Sequence, residues 1–340
     1  MLAMIAKEVR QVRRDRRTLA MMIVMPVMLL IVFGYAASFD VSAIETAVTG
    51  PVAGEVAGRL PETFAIVDVE VTDPVDTLRR GEADVVLATD HGGAIAYVDG
   101  SELFTARAAV AAFNAAAVQG APVKSEILFN PELDTSAVLV PGLAGLILLF
   151  IGSLVTSLGV VRERQAGTLE QLAVMPLRPR DIFVGKIAPY FVVATVDLVV
   201  VLFVGWLVFD VPFVGSPWLL GLGAMLFLFV TLGLGVLIST VSENQGQAIQ
   251  LAIMTLLPQV LLSGLIFPLE SMAAGVRWLG YLLPLTYFNQ IARGVMLKGA
   301  PLDSLLMPLG LLALLGVVVF GLAVLRFRHE LGVSEATVAA

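Results

Sequence analysis

Residues 138–161 read VLVPGLAGLILLFIGSLVTSLGVV and run straight into Arg162-Glu163-Arg164. That stretch holds no Asp, Glu, Lys or Arg, and at about 1.5 Å of rise per residue it exceeds the roughly 20 residues that cross a bilayer core as helix. A helix that is apolar all round belongs inside a large core or in lipid. Composition decides for lipid: the 340-residue chain is 58% hydrophobic and 14% charged, where soluble domains carry about a quarter charged residues.

Five further stretches share this character, at 18–38, 187–209, 218–241, 248–267 and 305–325. The expected fold class is therefore an α-helical polytopic membrane protein, with six transmembrane helices and an inserted extracytoplasmic α/β domain at 39–137. The first stretch follows a basic leader and ends in Ala36-Ala37-Ser38, which imitates a cleavage site. Its apolar run is longer than the roughly 7 to 15 residues of a secretory signal, so it reads as an uncleaved anchor.

Orientation follows from where Lys and Arg lie beside the spans. Lys7, Arg10, Arg13, Arg14, Arg16 and Arg17 precede the first span. Arg162, Arg164, Arg178, Arg180 and Lys186 lie between the second and third, and Arg326 and Arg328 follow the sixth. These segments are expected in the cytoplasm, with both termini. Residues 39–137, by contrast, carry 16 acidic and 5 basic residues, a net −11, which suits translocation to the outside of the inner or plasma membrane.

The segments outside the lipid have their own patterns. Leu2, Ile5, Val9 and Val12 form one helical stripe with the basic residues turned elsewhere, an interfacial helix over 1–17 that suits anionic lipid or a cytoplasmic partner. In 39–137, strands are expected at 65–71, 83–89 and 94–98. A short helix should run from the Asp73-Pro74 cap to Gly81, and an Ala-rich helix from Ser101 to about Gln119. In the cytoplasmic loop 162–186, Thr168 and Gln171 form a T-x-x-Q capping box behind Gly167, and Pro176 and Pro179 stop the short helix it starts. Residues 268–303 are amphipathic without a spanning run and read as re-entrant or interfacial helices broken at Pro284, with Trp278, Tyr281 and Tyr287 at headgroup level. Residues 326–340 are left as a cytoplasmic tail.

Catalytic chemistry is not legible. The chain has no cysteine and two histidines, so thiolate and histidine-built metal sites are not expected. It has no G-x-x-x-x-G-K-[ST], G-x-S-x-G or H-E-x-x-H, the phosphate, acyl-transfer and zinc signatures. The chain reads as a non-enzyme without a cofactor of its own. One charge stands out: Asp197, about ten residues into the third span, where a carboxylate costs several kcal/mol unless paired or hydrated. It is a candidate position on a translocation path, or a protonated or hydrogen-bonded carboxyl packed against another helix. Gly142, Gly145 and Gly152 on the second span let a helix approach closely, and a second subunit is the expected occupant.

The words in these segments resemble those of the ABC-2 family of transporter permeases, especially the multidrug type with a large domain after the first span. They are Arg13-Arg14-Asp15-Arg16-Arg17-Thr18-Leu19-Ala20, Phe129-Asn130-Pro131-Glu132-Leu133, Val140-Pro141-Gly142 and Gly167-Thr168-Leu169-Glu170-Gln171-Leu172. Gly185-Lys186-Ile187-Ala188-Pro189-Tyr190, Leu262-Ser263-Gly264, Phe267-Pro268, Pro284-Leu285-Thr286-Tyr287-Phe288 and Arg293-Gly294 complete them. The family's usual E-R-E stands here as Glu163-Arg164-Gln165, and Asp197 is not part of its pattern.

The resemblance implies an exporter moving a drug, lipid or other amphiphile, with ATP bound and hydrolysed by a separate ABC ATPase subunit present in two copies. It also implies a second permease subunit, identical or paralogous, and an ATPase-coupling element made of Glu163, Gly167, Thr168, Leu169, Glu170, Gln171 and Leu172. The lipid bilayer is a partner and nucleic acid is not. A membrane-anchored receptor or assembly factor with a ligand-binding outer domain is the alternative, and it lacks an output domain here. A secondary transporter is a third, without an evident inverted repeat.

Overall fold

The computed structural model describes residues 43–90, 93–118, 123–167 and 179–338, with Val27, Ile31 and Val41 besides. The expected interfacial helix at 1–17, nearly all of the first span, and Thr168 to Leu172 lie outside the described residues.

A small α/β domain comes first. Strands β1 (Ile44–Thr49), β2 (Phe64–Ile66), β3 (Val85–Asp90), β4 (Gly93–Asp99) and β5 (Val123–Leu128) form one sheet in the order β2-β1-β3-β4-β5. The β3–β4 pair is antiparallel, with Asp90 opposite Gly93, and the other pairs are parallel. Val85, Val86 and Leu87 are all buried, as a strand covered on both faces requires. One face packs Ile44, Val85 and Leu87 against Ala106, Ala109 and Phe113 of a helix; the other packs Ala47 and Val86 against Leu78.

The helices of this domain are α1 (Ala53–Ala57), α2 (Pro74–Arg80) and α3 (Leu103–Val118). Helix α2 follows its sequence signals: Asp73 accepts from Val75 N at 3.0 Å, Pro74 opens the first turn, and Gly81 closes it at φ 71°. The strand expected at 65–71 is shorter, ending at Ile66, while β1, β5 and α1 add to the expected elements.

The remaining chain is helical. Helix α4 (Thr135–Phe150), a π-helical turn at Ile151–Val155 and α5 (Thr156–Gln165) follow one another without a break. Next come α6 (Pro179–Phe209), α7 (Pro217–Val241) and α8 (Gln245–Leu262). Short helices α9 (Ala274–Gly280) and α10 (Pro284–Arg293) lead into a π turn at Gly294–Lys298 and the long α11 (Leu302–Val338). Among the described residues, four helices are long and apolar enough to cross a membrane: Thr135–Gln165, Ala188–Phe209, Pro217–Val241 and Leu302–Arg326.

Helix α8 is not among those four. It carries Gln245, Gln247, Gln250 and Gln259, and it stops at Leu262 rather than at the expected residue 267, because Gly264 turns the chain at φ 79°. Helix α6 starts earlier than expected because Pro179 fits a first helical turn. Helix α11 continues to Val338, through the stretch expected as a tail.

The glycines of α4 and the π turn are filled from within the chain. A Cβ at Gly142 would meet Leu265, one at Gly145 would meet Phe288, and one at Gly152 would meet Thr231, at 2.2, 2.4 and 2.3 Å. The second subunit expected on this face is therefore displaced by α7, α10 and the 263–267 turn. A small residue admits a close neighbour without saying which. Opposite the π turn, a Cβ at Gly235 would lie 2.8 Å from the carbonyls of Gly152 and Ser153, so α7 crosses there backbone to backbone. Phe227 of α7 and Phe288 of α10 stack at 4.6 Å in the same core.

Candidate sites at the two ends of the helical bundle

The sheet domain is joined to the bundle by ion pairs. Its strand β4 ends at Asp99, which is 1% exposed and pairs with Lys298, 12% exposed, at the end of the π turn after α10. Asp99 also accepts from Ser101 N and Oγ at 2.9 and 2.6 Å. Burial alone lowers the Lys298 ammonium, and Asp99, by charge and hydrogen bond, more than offsets this, so the net direction is upward. Lys298 Nζ also donates to Leu78 O at 3.3 Å, while Arg79 Nε donates to Lys298 O at 3.2 Å. The end of α2 and the π turn thus satisfy each other's orphan carbonyls.

A second pair lies beside it. Arg293, the last residue of α10, meets Glu102 at 3.1 Å through Nη1 and donates to Gly264 O at 3.0 Å through Nη2. Between the two pairs is a cavity of about 360 Å³, lined by Asp84, Glu102, Glu270, Asn289, Arg293 and Leu305 among others. Burial, then the Glu102 charge, push the Asp84 carboxyl up to about 8, against one opposing hydrogen bond from Glu45 N at 3.0 Å. Glu270 is raised as well, chiefly by burial. Tyr287, expected at headgroup level, is instead buried at 6% exposure and donates to Tyr281 O, while Trp278 and Tyr281 are exposed.

The opposite end holds what is described of the expected coupling element. Helix α5 ends at Gln165, and Gly167 takes φ 71° with its N–H on Arg164 O at 3.1 Å. That left-handed turn stops a helix where glycine alone adopts it without strain. Glu163 and Gly167 are partly buried. Thr168, Leu169, Glu170, Gln171 and Leu172, the capping box included, lie outside the described residues.

Asp197 is partly buried on α6, beside the buried Ala194 and Leu198 and flanked by the exposed Val193, Val196 and Val200. Among the described residues it has no hydrogen-bond or ion-pair partner. Asp197 does not line the ion-pair cavity. The residues that sequence reasoning missed are Asp84, Asp99, Glu102 and Lys298. Their signal was present only as charges in two separate segments, each ordinary for a solvated surface, and Arg293 was visible only as a word.

A bundle holding four helices long and apolar enough to cross a membrane, with a small mixed-sheet domain pinned to one end by ion pairs, defines a membrane protein. The chain belongs to the ABC-2 family of transporter proteins, whose family description matches residues 16–325, and it is a permease subunit of an ABC-2 type transporter. It is 28% identical to the protein of Escherichia coli (strain K12) named "Probable multidrug ABC transporter permease YbhS", over 97% of each chain. It is 30% identical to "Probable multidrug ABC transporter permease YbhR" of the same organism, over 88% of this chain and 90% of that one. Its identity to "Inner membrane transport permease YhhJ" of Escherichia coli (strain K12) is 33%, over 62% of this chain and 56% of that one.

Proposed function

We propose that this chain is the membrane subunit of an ATP-driven exporter in the inner or plasma membrane, moving a drug, lipid or other amphiphile out of the cytoplasm. It crosses the membrane six times, with both termini in the cytoplasm and the sheet domain outside. Two such subunits, identical or paralogous, work with two copies of a separate ABC ATPase that binds the ATP. The residues facing that ATPase are Glu163 and Gly167 to Leu172, and Asp197 lies in the membrane without an assigned part in the path.

The observation that carries this reading is the end of α5. A membrane-length helix stops at a left-handed Gly167 directly before the Thr168 to Leu172 word, with basic residues Arg162 and Arg164 in its last turn. Glu170→Arg tests it by reversing one charge in that segment. Capture of the ATPase subunit by the tagged full-length chain should drop by about tenfold, equivalent to about 1.4 kcal/mol, with membrane abundance unchanged. A merely solvated loop charge tolerates reversal within about 0.5 kcal/mol, so unchanged capture and unchanged export would defeat the reading.

A further inference from the structure

Arg164 lies three residues before Gly167, and its Nη1 donates to the carbonyls of both Ser239 and Ser242 at 3.0 Å. Ser239 and Ser242 are buried, and Ser242 is the residue that closes α7. These carbonyls belong to the last turn, where the helix itself supplies no donor and where a cation matches the dipole. The neighbouring Gln165 accepts from Gln245 Nε2 at 3.0 Å, at the first residue of α8. Asn244 caps that helix by accepting from Gln247 N at 2.9 Å, and Gln247 Oε1 accepts from Glu243 N at 2.9 Å. The end of α5 therefore grips both sides of the α7–α8 corner. Gln165 is also the position where the chain departs from the usual E-R-E, and an amide there meets a second amide without adding charge.

We propose that Arg164, supported by Gln165, is a positioning residue that carries movement of the coupling segment into the α7–α8 corner. The proposal rests on the reading of residues 168–172 as the segment that contacts the ATPase. Gly167 N donates to Arg164 O at 3.1 Å, so the glycine turn is tied directly to the residue that holds the corner. A planar guanidinium bonded to two carbonyls fixes orientation as well as distance, whereas a lysine ammonium is a point donor on a flexible stem.

The test uses the full-length chain co-purified with its ATPase in lipid nanodiscs. The sequence has no cysteine, so Val241→Cys, at the exposed last residue of α7, accepts a single nitroxide label. Its spectrum is compared without nucleotide and with ATP plus vanadate. In the Arg164→Ala chain the nucleotide-dependent change should shrink at least about fivefold, the low end of usual coupling strengths, while ATPase capture and membrane abundance stay at the unsubstituted level. Arg164→Lys should recover part of the response, and Gln245→Ala should cause a smaller loss. A full response in Arg164→Ala overturns the proposal. So does a loss that accompanies a fall in abundance and that Arg164→Lys does not relieve. If the unsubstituted chain captures no ATPase, the exporter reading has failed and this proposal with it, a result seen before any label is read.

Discussion

The two ends of the helical bundle are fastened to different things: one joins a separate domain to the bundle, the other joins helices of the bundle to one another. At the sheet-domain end, charged side chains meet charged side chains: Asp99 with Lys298 and Glu102 with Arg293, both partly or wholly out of water. At the far end, one guanidinium holds two backbone carbonyls and two amides hold each other. A buried ion pair has one good geometry and penalises any other, because a separated charge stays desolvated. Ser239 and Ser242 are buried, so a carbonyl left there without its donor stays desolvated and also costs, though less than a stranded charge. The first end therefore holds the sheet domain to the bundle, and the second holds the end of α5 to the α7–α8 corner.

Removal of Lys298 should give the largest effect. Lys298→Ala leaves Asp99, 1% exposed, without its countercharge, and breaking a buried pair from one side costs about 3–5 kcal/mol. Thermal unfolding in detergent, followed by size exclusion, should show a markedly lower midpoint than the unsubstituted chain. Replacing both partners together, Asp99→Asn with Lys298→Met, should recover most of the loss, since no charge is then stranded. Equal damage from the single and the double replacement would show that packing, not ionic pairing, holds this end.

How much of this was legible before the structure depends on how local the signal is. The apolar runs, the Asp73-Pro74 cap and Gly81 specify their elements within a few residues, and the structure places α2 where they put it. The strand β5 alternates in burial from Val123 to Ile127, but its residues Val, Lys, Ser, Glu and Ile do not alternate in apolar character, so its period was not legible in the sequence. The ion-pair junction is another matter: Asp99 and Lys298 are about 200 residues apart in the sequence, and nothing local distinguishes Asp99 from the other carboxylates of an acidic domain. The glycines of α4 show a third kind of limit, since closeness was readable and the neighbour's identity was not.

The cavity between the two ion pairs sharpens the comparison through pH. Asp84 has its carboxyl pushed to about 8 in the folded chain, against about 4 when unfolded. Between those pH values the folded chain holds a proton that the unfolded chain has released, so this group makes stability fall as pH rises from about 4 to about 8, and adds no slope above that. Asp84→Asn removes the dependence. Unfolding midpoints measured from pH 5 to 9 should therefore decline less steeply in Asp84→Asn than in the unsubstituted chain, with the two furthest apart at the alkaline end. Parallel curves would mean that Asp84 is hydrated and ionised throughout, and that the junction is wetter than its burial indicates.

The smallest effect should come from a contact that is short but exposed. Arg80 bridges the sheet domain to the start of α11, with Nη1 on Asp303 at 2.6 Å and Nε on Asp76 at 2.8 Å. Yet Arg80 is 37% exposed and Asp303 56%, so water and salt screen both charges, and holding three long or mobile side chains in one arrangement costs entropy. Arg80→Ala should leave the unfolding midpoint within error of the unsubstituted chain at ordinary salt. Any small decrease at low salt should vanish near 1 M, where screening acts over about 3 Å. Lys298→Ala, by contrast, should remain damaging at the same salt concentration, because ions do not reach a pair buried under β4 and α2. If Arg80→Ala proved as harmful as Lys298→Ala, the distinction between exposed and buried pairs at this end would have to be redrawn. Bond geometry, and not removal from water, would then set the strength of the junction.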